Sequence, residues 1–318
     1  MKEVAIGIDI GGTNTVLGIV DKDGNCLTES SIRTDYYEDI KDYINELASS
    51  IKNLITGVSD ELNIIGIGIG APNGNYFKGI VDNAPNLKWK GIINFKELFK
   101  DYFEYPVVLT NDANAAAIGE MIYGAAKGMK DFVIVTLGTG VGSGFVANGE
   151  LIYGNDGFAG ELGHTIIFPE GRQCGCGRRG CLETYASATG IVKTVNDMLR
   201  DSTEDSLLRH YGEHEITSKL IYEAAKSNDT VAIEAFDFTS RVLGLALANT
   251  VAITSPEAII LFGGLSLAGE FIFKPTKMYM EYYMLNNFKN KVKLIPSALI
   301  GRDAAVLGAS ALVWKTIL

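Results

Sequence analysis

Three of the four cysteines lie close together, at positions 174, 176 and 181, and one of the three histidines precedes them at position 164. Thiolates and imidazole are the ligands that zinc prefers, and three sulfurs with one nitrogen complete a tetrahedral shell. The glycines between the cysteines allow the backbone to curl tightly enough for the sulfurs to converge. Three buried, unreactive cysteines would not need to cluster with glycines in a polar, arginine-containing loop. The pattern therefore predicts a zinc site formed by His164, Cys174, Cys176 and Cys181.

Two carboxylates, Glu161 and Glu183, flank this loop, and neither is needed for the metal. Because closed four-ligand shells are usually structural, we expect the ion to shape loop 161–183 and to do no chemistry. The function must then come from the groups that the loop presents. Glycine-rich hairpins that could bind phosphate lie elsewhere in the sequence, so we expect loss of the metal to impair chiefly the site beside the loop.

Composition sets the class of protein. A chain of 318 residues suggests two domains at about 150 residues each. With 47% hydrophobic and 21% charged residues it is typical of a globular protein, and a net charge of −10 argues against nucleic-acid binding. No signal peptide is evident, and the most apolar run, residues 242–253, is too short to span a bilayer. The few cysteines suit a reducing compartment, so we expect a cytoplasmic protein without a membrane partner.

A glycine turn follows the first strand. The apolar run Val4–Ile10 predicts a strand, a second strand is predicted for residues 15–20, and Asp21-Lys22-Asp23-Gly24 predicts the next turn. Glycines between two strands expose backbone N–H groups that can bind phosphate. An ordinary tight hairpin without a ligand is the alternative, and the residues alone leave it open. The candidate turn residues are Asp9, Gly11, Gly12, Thr13 and Asn14.

The same pattern recurs in residues 131–149, where a strand leads into Leu137-Gly138-Thr139-Gly140 and a further strand follows. Such an internal repeat suggests two related α/β halves, each with a phosphate-binding hairpin. A dinucleotide-binding fingerprint needs a helix directly after its glycines, and here a β-like segment follows. The Walker A pattern is absent from the sequence. We therefore exclude a Rossmann dehydrogenase and a P-loop NTPase.

Asn111 and Asp112 stand between a short predicted strand and an alanine-rich helix. Ligands collect at this edge of open α/β sheets, but an Asp or Asn at a helix start is also what an N-cap requires. Taken locally, the pattern favours the cap for Asp112. A further strand, residues 258–262, runs into Gly263 and Gly264, a turn that could pass close to a flat ligand. Asn86 lies in an irregular segment whose amides could bind a polar ligand or form turns.

Taken together, these motifs resemble the ROK family of bacterial sugar kinases, within the actin-like, hexokinase-like ATPase superfamily. The resemblance runs nearly end to end, and its most specific parts are the Glu-x-Gly-His and Cys-x-Cys-Gly-x-x-Gly-Cys-x-Glu spacings. It implies two related actin-like (ribonuclease H-like) α/β domains with an interdomain cleft and a zinc-stapled loop. The expected domains are residues 1–115, joined by the C-terminal helix 303–318, and residues 116–302. Another branch of the family consists of repressors with an N-terminal helix-turn-helix domain, for which the position of Asp9 leaves no room.

The resemblance also implies roles for the candidate residues. ATP would lie between the lobes with its phosphates on the two hairpins, Asp9 would help to place Mg²⁺, and the turn of Gly263 and Gly264 would line the adenosine. Asp112 would be the general base that accepts the proton of the attacking sugar hydroxyl. One nitrogen of the histidine would bind zinc and the other a sugar hydroxyl. The residues expected to bind the hexose are Asn86, Asn111, Asp112, Glu161, His164 and Glu183, and those expected to bind phosphate in the second hairpin are Gly138, Thr139 and Gly140.

The identity of the sugar is less constrained than the reaction. Glucose is the first candidate, while an N-acetylmannosamine kinase or a fructokinase of the same family is an alternative. A catalytically silent sugar sensor is an alternative of another class, and the intact Asp112 and glycine turns count against it. The resemblance further implies a homodimer whose partners are a hexose and ATP.

Overall fold

The computed structural model describes residues 1–59, 61–299, 301 and 304–317. The predicted turn residue Arg302, the predicted helix start at Asp303 and the C-terminal Leu318 lie outside these residues. Two sheets of five strands and a smaller one of three strands make up its β-structure. Apolar residues of each large sheet are buried in a core of their own.

The first sheet has the strand order β3-β2-β1-β4-β8. The central strand pairs antiparallel with β2 and parallel with β4, and β8 continues the parallel side. Alternating burial in β3 marks it as an edge strand, whereas β1 is buried on both faces. The strands are β1 (Lys2–Ile10), β2 (Asn14–Asp21), β3 (Cys26–Arg33), β4 (Leu62–Gly70) and β8 (Val107–Thr110).

The second sheet repeats this topology with the order β11-β10-β9-β12-β13. Its central strand again has an antiparallel hairpin partner on one side and a parallel strand on the other. The prediction of two related α/β halves is confirmed by this match of order and direction. The strands are β9 (Phe132–Leu137), β10 (Val141–Ala147), β11 (Glu150–Leu151), β12 (Ala258–Phe262) and β13 (Lys293–Pro296).

The small sheet is inserted between β4 and β8 and consists of β5 (Gly74–Asn75), β6 (Ile80–Asp82) and β7 (Ile92–Ile93). The connection from β6 to β7 carries Asn86. Buried Leu87 and Trp89 anchor this connection in the first core, and the Trp89 ring lies 4.5 Å from that of Tyr43. The segment has no regular secondary structure, but these two buried side chains hold it in place.

Helices cover the sheets. A helix of 25 residues spans Thr230–Thr254, and Asp229 caps it by accepting a hydrogen bond from the Ala232 N–H. The segment 270–296, for which residue patterns predict no element, contains a helix with Pro275 inside it. The helices are α1 (Ile40–Gly57), α2 (Phe95–Lys100), α3 (Asp112–Ile122), α4 (Glu183–Ala186), α5 (Ala188–Asp201), α6 (Ser218–Lys226), α7 (Thr230–Thr254), α8 (Glu270–Tyr283) and α9 (Ala304–Ile317).

Two helices, α3 and α9, join the halves. Helix α9 packs directly on the first sheet, because a Cβ on Gly68 would lie 1.9 Å from the Ala309 carbonyl oxygen. Helix α3 packs on the second sheet, where a Cβ on Gly144 would lie 2.7 Å from the Ala117 Cβ. Bare glycine faces thus let both helices approach the strands closely. The expected domain boundary after residue 115 lies within α3, and the division into domains stays a prediction.

Among the described residues, none of the helices combines the length and the apolar character needed to cross a membrane.

Candidate active site

A cleft of about 670 Å³ opens between the two halves at the ends of their central strands. Both glycine turns, the loop after β6, the start of α3 and parts of loop 161–183 line it. It brings together eleven of the predicted residues, namely Asp9, Gly11, Asn86, Asn111, Asp112, Gly138, Thr139, Gly140, Glu161, Glu183 and Gly263. The other residues predicted to bind the nucleotide or the sugar lie near this lining in the chain, namely Gly12, Thr13, Asn14, His164 and Gly264.

Helix α3 is capped by Asn111, not by Asp112. The Asn111 side chain accepts a hydrogen bond of 2.7 Å from the Asn114 N–H, which is the N-cap arrangement. Asp112 is the first residue of the helix, and its carboxylate accepts the N–H of its neighbour Ala113. The expectation from the local pattern, that Asp112 serves as the cap, is therefore wrong. Its carboxylate faces the cleft instead.

Three carboxylates that line the cleft have raised pKa values. Burial, and then the neighbouring charge of Asp112, raises the pKa of Asp9 to about 7. The Asp112 side chain can be reached from the cleft, but the surrounding protein displaces enough bulk water to raise its pKa as well. Burial raises the pKa of Glu161 against the opposing effect of His164. Such a group of acids favours the binding of a cation, and it can accept a proton from a ligand hydroxyl.

The first turn is held by its own sheet. The Gly11 N–H donates to the Asn14 carbonyl, and the Thr13 carbonyl accepts from the Thr34 N–H at the end of β3. A Cβ on Gly12 would lie 2.6 Å from the Asn86 carbonyl oxygen, so the turn and the loop after β6 are in close contact.

The second turn has one hydrogen bond of its own, from the Gly138 N–H to the Gly140 carbonyl, and is also held by segments outside its sheet. The Ala188 N–H donates to the Gly138 carbonyl, and the Thr189 hydroxyl donates to the Thr139 carbonyl at 2.8 Å. Glu183 accepts a hydrogen bond of 3.1 Å from the Val141 N–H. The expectation that both hairpins are remote from loop 161–183 is therefore wrong for the second hairpin, because distance along the chain is not distance in space.

The four predicted metal ligands converge. One ligand atom each from His164, Cys174, Cys176 and Cys181 lies within 4.8 Å of the others. The Cys176 and Cys181 sulfurs are 3.7 Å apart, and the Cys174 sulfur is 3.7 Å from Nδ1 of His164. Sulfurs about 2.3 Å from a tetrahedral ion would lie about 3.8 Å from each other. The cluster therefore fits a four-coordinate metal and is not a disulfide.

Two functional side chains were missed by the sequence analysis. The Ser143 hydroxyl bonds to the Gly160 carbonyl and accepts from the Leu162 N–H at 3.1 Å, which fixes both sides of Glu161. Thr189, in the first turn of α5, holds the second glycine turn as described. A serine inside the glycine run of β10 was the signal available for the first, whereas Thr189 carries no local signal.

Gly263 has a backbone φ of 98°, and a Cβ there would lie 2.8 Å from the Leu137 carbonyl oxygen. The turn after β12 therefore lies against the strand that leads into the second glycine turn, and the two form one wall of the cleft.

Known proteins are similar to this chain over nearly its whole length. The model of the ROK family matches residues 5–316. A glucokinase of Halalkalibacterium halodurans is 36% identical over 312 residues, which cover 97% of this chain and 94% of that protein. The chain belongs to the ROK family.

Further relatives include both enzymes and regulators. A ROK family glucokinase from Streptomyces griseus, solved in complex with glucose and AMPPNP, superimposes with a TM-score of 0.80 at 32% identity, covering 98% of this chain and 99% of that one. A xylose repressor of Caldicellulosiruptor bescii is 32% identical over 98% of this chain, which spans 78% of the repressor. The predictions of the family and of the fold class are thus confirmed.

Proposed function

We propose that this protein transfers the γ-phosphoryl group of ATP to a hydroxyl group of a hexose, with glucose as the first candidate. The enzyme class, an ATP-dependent sugar kinase, is confirmed by the family match together with the glucokinases among its relatives. The choice of glucose is supported by the names of those relatives and by the set of polar residues in the cleft.

The observation that carries the proposal is the carboxylate of Asp112. It lines the cleft, and it is not needed as the cap of α3 because Asn111 has that role. Its raised pKa makes it a better proton acceptor than an ordinary carboxylate. In the proposed reaction, Asp112 accepts the proton of the attacking hydroxyl as the phosphoryl group transfers in line.

The remaining roles are those that the family resemblance implies, and the residues that line the cleft support them. The two glycine turns would bind the phosphates through their N–H groups, and the turn of Gly263 and Gly264 would line the adenosine. Asp9 would hold the Mg²⁺ that accompanies ATP, where the ion would neutralise phosphate charge. The sugar hydroxyls would be bound by Asn86, Asn111, Glu161, His164 and Glu183.

The metal cluster is proposed to hold one structural zinc ion, whose contribution is to order loop 161–183. Since Nδ1 of His164 faces the Cys174 sulfur, Nε2 would be the nitrogen left for a sugar hydroxyl.

An ADP-release assay against glucose, N-acetylmannosamine, fructose and mannose tests the reaction and its substrate. We expect glucose to give the highest kcat/KM. A preference for N-acetylmannosamine would select the alternative supported by a structural neighbour described as a putative N-acetylmannosamine kinase, at 25% identity. Sugar binding without turnover of any sugar would select the silent sensor, the reading that the xylose repressors among the relatives support.

A homodimer is also proposed. Three large apolar side chains near the C-terminal end of α8 are largely exposed, namely Met278, Tyr282 and Leu285. Light scattering after size exclusion measures the assembly directly. A cytoplasmic location stays a prediction.

A further inference from the structure

We infer that Glu183 is a positioning residue for the second glycine turn, in addition to the sugar contact proposed for it. The inference rests on the proposed function, because it assigns the same carboxylate a second task in the same cleft. It links the metal loop, the sugar site and the phosphate-binding turn through one side chain.

The contact with the turn is direct. Oε2 of Glu183 accepts the Val141 N–H at 3.1 Å. The side chain also fills the space that Gly140 leaves open, since a Cβ at position 140 would lie 2.2 Å from the same oxygen. A turn residue without a side chain is thus required for this carboxylate to reach the backbone behind it.

The position of Glu183 is set from the metal loop. It is the first residue of α4 and follows Cys181 and Leu182, both fully buried. Its other oxygen, Oε1, lies 3.7 Å from the Cys174 sulfur. The carboxylate therefore extends from a backbone that the metal cluster fixes to a backbone amide of the turn.

One consequence concerns communication between ligands. A sugar hydroxyl that binds Glu183 would restrict the same side chain that holds the Val141 N–H. Ordering the turn before nucleotide binds lowers the entropy that nucleotide binding must remove, so sugar should raise nucleotide affinity. Because Glu183 is also the proposed sugar contact, a change in the turn that displaces it should weaken sugar binding even without nucleotide.

The test uses two glycines of the same turn. A Cβ at Gly140 would collide with Glu183, whereas a Cβ at Gly138 would meet nothing within 4 Å. We expect Gly140→Ala to raise the Kd for glucose, measured by calorimetry without nucleotide, by about tenfold or more, and Gly138→Ala to change it by less than about twofold. The same comparison with AMPPNP should show that glucose increases nucleotide affinity in the wild-type protein and not in Gly140→Ala.

Amide hydrogen exchange over residues 138–144 gives a readout that needs no ligand. Exchange at Val141 should be faster in Gly140→Ala and in Glu183→Ala, and Glu183→Gln, which keeps the length and one acceptor oxygen, should restore protection. Glucose affinity in Gly140→Ala equal to that of the wild type, or unchanged exchange in both Gly140→Ala and Glu183→Ala, would overturn the inference. Failure of the wild-type protein to bind glucose would instead contradict the proposed substrate, and the exchange measurement would still decide the role of Glu183.

Discussion

The two glycine turns occupy the same place in two sheets of the same strand order, but they are fixed in different ways. The first is held by hydrogen bonds within its own sheet, from Gly11 to Asn14 and from Thr34 to Thr13. The second has one such bond of its own, from Gly138 to Gly140, and is held in addition by Glu183, Ala188 and Thr189, which all follow the metal cluster in the chain. The same sheet topology therefore does not imply that the two turns are held by the same contacts.

Each side of the cleft also has two carboxylates, but only Asp9 and Asp112, on the first side, are proposed to hold the cation and accept the proton, whereas Glu161 and Glu183 are proposed to bind the sugar. Asp9 and Asp112 lie side by side at the edge of the first sheet, where a Cβ on Gly70 would be 3.5 Å from the Asp9 carboxylate and 3.8 Å from the Asp112 Cα. The first side of the cleft thus supplies the groups that can act on a proton or a cation. The second side supplies a phosphate-binding turn whose position depends on the metal loop.

The largest effect is expected for Asp112→Asn, which removes the proposed base and keeps the size of the side chain. Turnover should fall by about 10²- to 10⁴-fold, because general-base catalysis typically contributes that much. Helix α3 should remain stable because Asn111 caps it. The assay is ADP release with saturating sugar, together with thermal unfolding. Asp39→Asn, at the N-cap of α1 and outside the cleft, is the matched control and should keep normal turnover. Near-normal turnover of Asp112→Asn would exclude it as the base.

The next effect concerns the second side. Cys181→Ala should remove the metal, measured by elemental analysis of protein purified without chelator, and raise the Kd for glucose by about tenfold or more, because loop 161–183 loses its order. Hydrogen exchange should accelerate over residues 138–144 and stay unchanged over residues 11–14. Cys26→Ala, which changes the cysteine outside the cluster, should keep the metal. Equal acceleration of hydrogen exchange in both turns would show that the first turn also depends on the metal loop. Wild-type protein that contains no zinc would contradict the predicted metal site.

A smaller effect concerns stability on the first side. The pKa of Asp9 is raised from 3.8 to about 7, so the folded protein binds its proton more tightly than the unfolded chain does. The contribution of this group to stability is therefore complete below about pH 4 and is lost as the pH rises to about 7. Asp9→Asn should increase the free energy of unfolding at about pH 8, by on the order of 1–3 kcal/mol, and change it little near pH 4. The same variant should lose kinase activity.

Asp21 provides the contrast for that measurement. Burial alone would raise its pKa, but the Lys2 ammonium and the donors of Asn25 and Asp23 lower it to about 2. Asp21→Asn should therefore destabilise the protein at neutral pH, and the difference should shrink as the pH falls towards 2. Denaturant unfolding of both variants at several pH values measures the two signs. A stabilising effect for both, or for neither, would contradict the pKa shifts.

Local spacing was sufficient to predict much of this site. The metal ligands lie within one short segment, and the strands around each turn follow from their apolar runs, so little tertiary information was needed for either. Assigning the cap of α3 failed by one residue because Asn and Asp are nearly equal as N-caps and stand next to each other. Helix α8 gave no clear signal because Pro275 lies inside it, where proline is usually unfavourable.

The support of the second turn could not be predicted for a different reason. Glu183 and Val141 are 42 residues apart, and the contact exists only because loop 161–183 folds back on β10. Ser143 takes part in this folding by bonding to Gly160 and Leu162. Neither contact has a periodicity or a motif of its own. Contacts of this kind, between segments that the fold brings together, limit what can be read from residue patterns.

The smallest expected change is closure of the cleft by sugar. Its two turns lie on opposite lobes, and an open cleft would leave water in competition with the sugar hydroxyl for the phosphoryl group. Closure excludes that water and completes the site. Movement between the halves must shift α3 against α9, which touch where a Cβ on Gly119 would lie 2.9 Å from the Gly308 Cα. The close packing at this contact makes a small rotation the expected response.

In small-angle scattering, the radius of gyration should therefore fall slightly when glucose alone is added. Mannitol at equal concentration is the control for solvent contrast. Basal ATP hydrolysis without sugar should be far slower than sugar phosphorylation, since the open site does not align water with the phosphoryl group. Identical scattering curves for the apo, sugar-bound and sugar-plus-nucleotide protein would show that the site is preformed. The two turns would then differ only in how they are supported, and sugar would act through the contact of Glu183 with Val141 without moving the lobes.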